Sequence, residues 1–369
     1  MTLARAALTG PISRIDPAVQ YTKPLPDGDR LLRLDSNEGP LPPRALLAEL
    51  AGADPELLRR YRDAAALEAA LAARFGVTAE RVIVTAGADE AIDRSCRAFL
   101  ERGRTLVLPE PTFELFERFA ALAGGDIERV PWAGGAFPDD AFLERLDART
   151  AMVVVVSPNN PTGAVATLAE VRRLAGAAPH ALVLLDLAYI EYADADPTPG
   201  VLDLPNVLVV RTFSKAWGLA GCRVGYAIGS PYVVSVLRAA GGPYPVGAPS
   251  IALASRQLEH GGDALRAHVA RVREERELLT ARLNARGLTP LPSQANFVFV
   301  DFGPPGPRAT VVCAGLAALG VLVRDFPLRP GIATGLRITL PGDPAQFERL
   351  CAALDTVLAG RGAGRERLP

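Results

Sequence analysis

The sequence predicts an α/β protein: a large domain on a mainly parallel sheet covered by helices, then a smaller α+β domain towards the C-terminus. Three observations carry this. Short apolar runs of strand length recur between stretches of helical period. The runs are apolar at nearly every position instead of alternating, which suits strands buried on both faces. Beyond about residue 245 the alternation gives way to a long charged helical pattern and a different mix of elements. A chain of 369 residues is long enough for about two or three domains and for a large core.

In chain order, the first 45 residues read as an N-terminal arm with a segment belonging to the smaller domain, since Pro11, Pro17, Pro24 and Pro26 break any regular element. Residues 46–245 form the large domain. Its strands are expected at 82–85 (VIVT), 105–108 (TLVL), 127–131 (IERVP), 152–156 (MVVVV), 182–186 (LVLLD), 207–211 (VLVVR) and 224–228 (VGYAI), the last two close enough together to pair differently from the rest. Helices are expected at 64–75, 88–102, 112–123 and 167–177. The smaller domain, 246–360, opens with a long charged helix over 263–286 that stops at Gly287. Strand patterns at 296–301, 321–325 and 336–340 and helices at 309–319 and 344–359 follow. The tail 361–369 is expected to be disordered.

Composition excludes several function classes. The net charge is −1, with no electrostatic footprint for nucleic acid or an anionic membrane. No apolar run reaches the roughly 18 residues of a membrane span, and Met1 to Arg14 lacks a signal-peptide core. Cys96, Cys222, Cys313 and Cys351 are scattered, which suits reduced thiols in a cytoplasmic protein. His180, His260 and His268 have no metal-ligand spacing, so no metal site is expected. One skew is informative: of 40 basic residues only Lys23 and Lys215 are lysines. Arginine serves as well as lysine on a solvated surface, but it cannot be deprotonated and so cannot form an imine. A lysine kept against that background marks a place where arginine fails, and the surroundings single out Lys215.

In a parallel sheet, ligands gather at the carboxyl ends of the strands. After 82–85, Gly87 opens a helix whose first N–H groups, at Ala88 and Asp89, suit either a phosphate or an ordinary helix start. After 152–156 comes Ser157-Pro158-Asn159-Asn160-Pro161-Thr162-Gly163, a rigid turn able to present Asn160. Asp186 ends a buried strand, where a carboxylate is costly unless it is paired; it either caps a turn or meets a cationic ring nitrogen. The strand at 207–211 leads into RTFSKAWGLAGCR, which combines Thr212, Ser214, Lys215 and Arg223.

At these residues the sequence resembles the fold-type-I aminotransferases that use pyridoxal 5′-phosphate (PLP), and within them the histidinol-phosphate aminotransferase family. The matching pieces span most of the chain: Ser36-Asn37-Glu38, Arg60-Tyr61-Arg62-Asp63, Gly87-Ala88-Asp89-Glu90, Pro111-Thr112-Phe113, SPNNPTG, Asp186-Leu187-Ala188-Tyr189, RTFSKAWGLAGCRVGY and Leu336-Arg337-Ile338-Thr339. The resemblance implies that Lys215 holds the cofactor as a Schiff base and shuttles the substrate proton, its pKa lowered by Arg223 and the cationic ring. It implies that Asp186 pairs with the pyridine N–H, that Tyr189 and Asn160 bind the O3′ side, and that Phe113 stacks on the ring. Ala88, Asp89, Thr212, Ser214 and Arg223 would bind the cofactor phosphate, and Tyr61 the phosphate in a neighbouring subunit, which implies a homodimer. Arg337, with Asn160, would clamp the substrate α-carboxylate, near Asn37.

In the resembling family the substrate phosphate meets a tyrosine of the partner's arm and an arginine near the C-terminal strands; Tyr21 and Arg324 stand in comparable places, with a structural salt bridge to a nearby acid as the alternative for Arg324. Tyr244 is expected at the pocket wall. Leu187 replaces a usual Glu, Trp217 a usual Phe, and Gly39-Pro40-Leu41-Pro42 the usual Asn/Tyr-containing stretch near the substrate entrance. The expected activity is ping-pong transfer of an amino group from L-histidinol phosphate to 2-oxoglutarate. The alternatives are an aromatic or other specialised amino acid aminotransferase, a decarboxylase of phosphorylated amino acids, and a PLP-sensing regulatory domain, for which no DNA-binding module is visible.

Overall fold

A computed structural model of the chain describes residues 31–303 and 308–359. Tyr21, Lys23 and the tail 361–369 lie outside the described residues. The strands in chain order are β1 (Leu32–Arg33), β2 (Val82–Thr85), β3 (Thr105–Glu110), β4 (Asp126–Pro131), β5 (Thr150–Val156), β6 (Leu182–Asp186), β7 (Val207–Thr212), β8 (Gly225–Ile228), β9 (Thr289–Pro290), β10 (Phe297–Asp301), β11 (Val321–Leu322), β12 (Arg324–Asp325) and β13 (Gly335–Thr339). Seven of them form one sheet in the order β2-β8-β7-β6-β5-β3-β4. β7, β6, β5, β3 and β4 run parallel, whereas β8 is antiparallel to both neighbours. The near-continuous apolar runs follow from this geometry. Every residue of β5 is buried, because helices such as Ala88–Phe99 and Leu168–Ala177 cover the sheet. The latter starts with a capping box in which Thr167 accepts from the Glu170 N–H and Glu170 from the Thr167 N–H.

The remaining strands form an antiparallel sheet, β12-β13-β10-β9, and a two-stranded parallel pair, β1-β11. The single strand expected over 321–325 is divided. Val321–Leu322 pairs with Leu32–Arg33, whereas Arg324–Asp325 pairs with β13, so the chain changes partner at Val323. The helix expected at 112–123 begins only at Leu115, because Pro111-Thr112-Phe113 forms a loop at the end of β3. The long charged helix spans Gly262–Asn284, and Gly287 follows in the left-handed region at φ 72°.

Parallel strands β3, β5, β6 and β7 end on one edge of the large sheet, and their loops face the smaller sheet there. The N-terminal segment is laid across this edge. At Gly39 an added Cβ would stand 1.7 Å from the Lys215 carbonyl oxygen, so only glycine lets the segment press against the lysine's own backbone.

Candidate active site

One cleft at that edge brings together Asn37, Ala88, Asp89, Phe113, Asn160, Asp186, Tyr189, Thr212, Ser214, Lys215, Arg223, Arg324 and Arg337. These residues come from positions 37 to 337, and the strand ends gather them. Tyr61 is not among the lining residues. It is 86% exposed and stacks on Tyr244, with ring centroids 5.1 Å apart. Tyr244 also lies outside the cleft wall, in a separate depression with Arg62 and Arg94.

Asp186, the last residue of β6, is buried, and its Oδ1 accepts the Ala188 N–H at 3.0 Å. It makes no ion pair among the described residues, and burial pushes its carboxyl up to about 7, with the Asp89 charge adding to the rise. Lys215 follows β7. Its Nζ donates to the Ser36 carbonyl at 3.0 Å and lies 5.5 Å from the centre of the Tyr189 ring. Burial, and then the Arg337 cation, pull its amine down to about 8, against the opposing charges of Asp89 and Glu38. Arg223 contributes in the expected direction but is the smallest of these causes. The leading causes are therefore enclosure and a strand residue 122 positions away.

Tyr189 lies in the loop after β6, its ring edge-on to Phe297 at 5.2 Å. Its hydroxyl accepts from Asn37 Nδ2 at 3.0 Å, and burial raises its pKa to about 12. The turn after β5 is held from inside by Asn159. This buried amide accepts from Thr112 Oγ1 at 2.8 Å and donates to the Pro111 carbonyl at 2.9 Å. Asn160 is thereby free to face the cleft, where its Oδ1 accepts from Arg337 Nη1 at 2.6 Å. Arg337 also donates to the Asp35 carbonyl at 2.6 Å.

At the other end, Gly87 precedes the helix Ala88–Phe99 without a side-chain cap, at φ 81°. An added Cβ there would meet Arg223 Nη2 at 2.6 Å. Arg223 itself is left-handed at φ 54°; it donates to Ser214 Oγ at 3.4 Å and pairs with Asp89 at 3.1 Å. Thr212 Oγ1 accepts the Ser214 N–H at 3.0 Å. Helix N–H groups, two hydroxyls and a guanidinium thus surround one small space, a natural anion cradle.

Arg324 lines the same cleft and makes no ion pair among the described residues, so the alternative of a structural salt bridge has no partner among them. Its guanidinium carbon lies 5.9 Å from the Phe326 ring, as does that of Arg337. The structure adds Phe326, Arg329, Asn159 and Asn296 to the site and its supports. Arg329 lines the cleft, and Asn296 Nδ2 donates to the Asn37 carbonyl at 3.3 Å. The Asn doublet of the turn signalled Asn159, but the cross-chain partners of the others leave no local pattern. Among the described residues no group of His, Cys, Asp and Glu could hold a metal, and no helix is long and apolar enough to cross a membrane.

Known proteins resemble this chain in sequence and in fold. The family model for aminotransferase class I and II matches residues 30–354. Histidinol-phosphate aminotransferase 2 of Rhizobium meliloti (strain 1021) is 36% identical over 356 residues, covering 93% of this chain and 98% of the relative. Histidinol-phosphate aminotransferase of Geobacillus thermodenitrificans (strain NG80-2) is 34% identical over 335 residues, covering 89% and 90%. The crystal structure of histidinol-phosphate aminotransferase from Sinorhizobium meliloti, solved in complex with pyridoxal-5′-phosphate, superposes with a TM-score of 0.83 at 26% identity, covering 95% of this chain and 99% of that one. A lysine amine lowered by enclosure, a buried carboxyl that makes no ion pair among the described residues, and a chain matched along nearly its whole length lead to one assignment: the chain belongs to the class I and II aminotransferases and is a PLP-dependent transaminase.

Proposed function

We propose that PLP sits with its ring between Phe113 and the floor of the cleft and its phosphate in the cradle after Gly87. Three features support the fit. Asp186 is a buried carboxyl that makes no ion pair among the described residues, suited to a pyridine N–H. Lys215 is an amine whose enclosure favours the neutral, nucleophilic form. The Ala88 and Asp89 N–H groups, Thr212, Ser214 and Arg223 together suit a phosphate. Bound there, PLP supplies an electron sink for negative charge developing at the substrate Cα. Asp186 keeps that sink electron-poor. Tyr189, fixed by Asn37, and Asn160, fixed by Arg337, hydrogen-bond the O3′ edge. Lys215 Nζ, the one lysine amine among the described residues that line the cleft, is placed to take and hold the Cα proton. Tyr61, exposed on its own subunit, completes the site of a second copy in a homodimer.

The substrate pair we propose is L-histidinol phosphate and 2-oxoglutarate, exchanged in ping-pong fashion. One observation carries this reading. Arg324 and Arg337 are direct cross-strand partners on β12 and β13, so their side chains leave the same face, into the same cleft. Like charges placed directly opposite each other are destabilising. A single carboxylate needs one arginine; a phosphate dianion held one CH2–O link from the reacting carbon repays two. The named relatives lend the reading further support, and favour it over a decarboxylase. Purified enzyme, followed at the cofactor's absorbance bands, should pass to its amine form with L-histidinol phosphate and be restored by 2-oxoglutarate. No spectral change with this donor, alongside a change with L-phenylalanine, would move the assignment to an aromatic amino acid aminotransferase.

A further inference from the structure

We propose that Arg329 selects a dicarboxylic amino acceptor: its guanidinium docks the carboxylate at the far end of a 2-oxo diacid. Arg329 lies in the turn between β12 and β13, which also carries Phe326 beside Arg324 and Arg337. The turn brings it against the loop after β3, on the opposite wall of the cleft. There Nη2 donates to the Thr112 carbonyl at 3.1 Å, and Nη1 stands 3.9 Å from the Glu114 carboxylate, too far for a hydrogen bond. A guanidinium has five N–H donors in a fixed fork. Here a neutral carbonyl takes one, and the nearest acid is a loose counter-ion whose own side chain is 42% exposed. Arg329 is only 23% exposed, so it is a largely desolvated cation with donors to spare on the wall of a substrate cleft.

Arg337, with Asn160, accounts for the carboxylate beside the reacting carbon, and Arg324 is its cross-strand neighbour on the same wall. A far carboxylate that reaches the opposite wall meets Arg329 instead, and a monocarboxylic acceptor has nothing to place there. Glu114 competes for the same fork, so the carboxylate and the diacid should exclude one another. The inference rests on the proposed diacid acceptor, not on the identity of the donor.

The test uses the holoenzyme and two inert probes of equal chain length, glutarate and valerate, with dissociation constants from calorimetry. Wild type should bind glutarate more tightly than valerate. Arg329→Met should weaken glutarate by roughly tenfold or more and leave valerate within about twofold, since a hydrogen-bonded charge pair is lost for one probe only. Glu114→Gln should tighten glutarate with valerate unchanged. In the acceptor half-reaction, the amine-form Arg329→Met enzyme should lose rate with 2-oxoglutarate but not with pyruvate. Parallel weakening of both probes would make Arg329 a structural latch on the Thr112 loop. Equal affinity of wild type for the two probes would also overturn the proposal. If L-histidinol phosphate fails as donor while the glutarate preference persists and depends on Arg329, the donor assignment falls and this inference stands.

Discussion

Asn37 joins three parts of the chain through one side chain: its Nδ2 donates to the Tyr189 hydroxyl at 3.0 Å, and its Oδ1 accepts from Thr339 Oγ1 at 2.8 Å. It does so while 1% exposed and at φ 54°, a region where asparagine is tolerated and branched apolar residues are not. The N-terminal segment is thereby tied both to the loop after β6 and to β13. Asn37→Leu removes both bonds and adds backbone strain. Each buried group left without a partner costs about 1–3 kcal/mol, so urea unfolding should show a loss of several kcal/mol. Asn37→Asp, which keeps the acceptor for Thr339, should lose less.

Lys215 predicts a pH-dependent stability in the cofactor-free enzyme. Its amine is lowered from 10.5 to about 8 in the fold, chiefly by burial. Between those values the unfolded chain holds a proton that the folded chain does not, so stability rises with pH across that window. The cost of the buried ammonium is fully present below pH 8 and gone above about pH 10.5. Lys215→Met should therefore be more stable than wild type in urea at pH 7, and the gap should close by pH 10.5. The same variant should bind PLP without the covalent absorbance band and should not turn over.

Asp186 gives the opposite window. Its carboxyl is raised from 3.8 to about 7 by burial, so the folded chain holds the extra proton and stability falls as pH rises between these values. The cost of the buried carboxylate is full above pH 7 and absent below pH 3.8. Asp186→Asn should stabilise the cofactor-free protein at pH 8, with a gain that fades on acidification. It should weaken PLP binding at that same pH, measured by absorbance titration. A residue that destabilises the empty fold and is needed to fill it is placed for function.

These groups differ in how visible they are along the chain. Lys215, Asp186 and Asn160 are legible because each follows or ends a buried strand run, and a parallel sheet sends those ends to one edge. The register that splits 321–325 is not legible. VLVRD reads as one strand, and its break is set by partners near residues 32 and 337. Arg329 is hidden for the same reason, since its anchor, Thr112, is 217 residues away. The helix Pro231–Ala240 did leave a local sign: Ser230 accepts the Val233 N–H, with Pro231 at the first helical position. The cause of the lowered lysine pKa shows the limit most sharply. Arg223 is near in sequence, but burial and Arg337 dominate.

Arg324 should show stability and activity moving in opposite directions. It is the direct cross-strand neighbour of Arg337, and it has no acidic partner among the described residues to offset that repulsion. Arg324→Met keeps the stem that packs near Phe326 and removes the charge. Relief of a like-charged cross-strand pair is worth about 0.2–1 kcal/mol, so the variant should unfold at slightly higher urea than wild type. Turnover of L-histidinol phosphate should instead fall by roughly 10–100-fold in kcat/KM, as a charge-assisted bond to a dianion is lost. L-Glutamate, whose α-carboxylate Arg337 can hold with Asn160, should lose much less. An Arg324→Met enzyme that loses both donors equally would place Arg324 in the general framework of the cleft and remove the phosphate argument. Retention of L-histidinol phosphate turnover would show that one arginine suffices, and the paired charges on β12 and β13 would need another ligand to explain them.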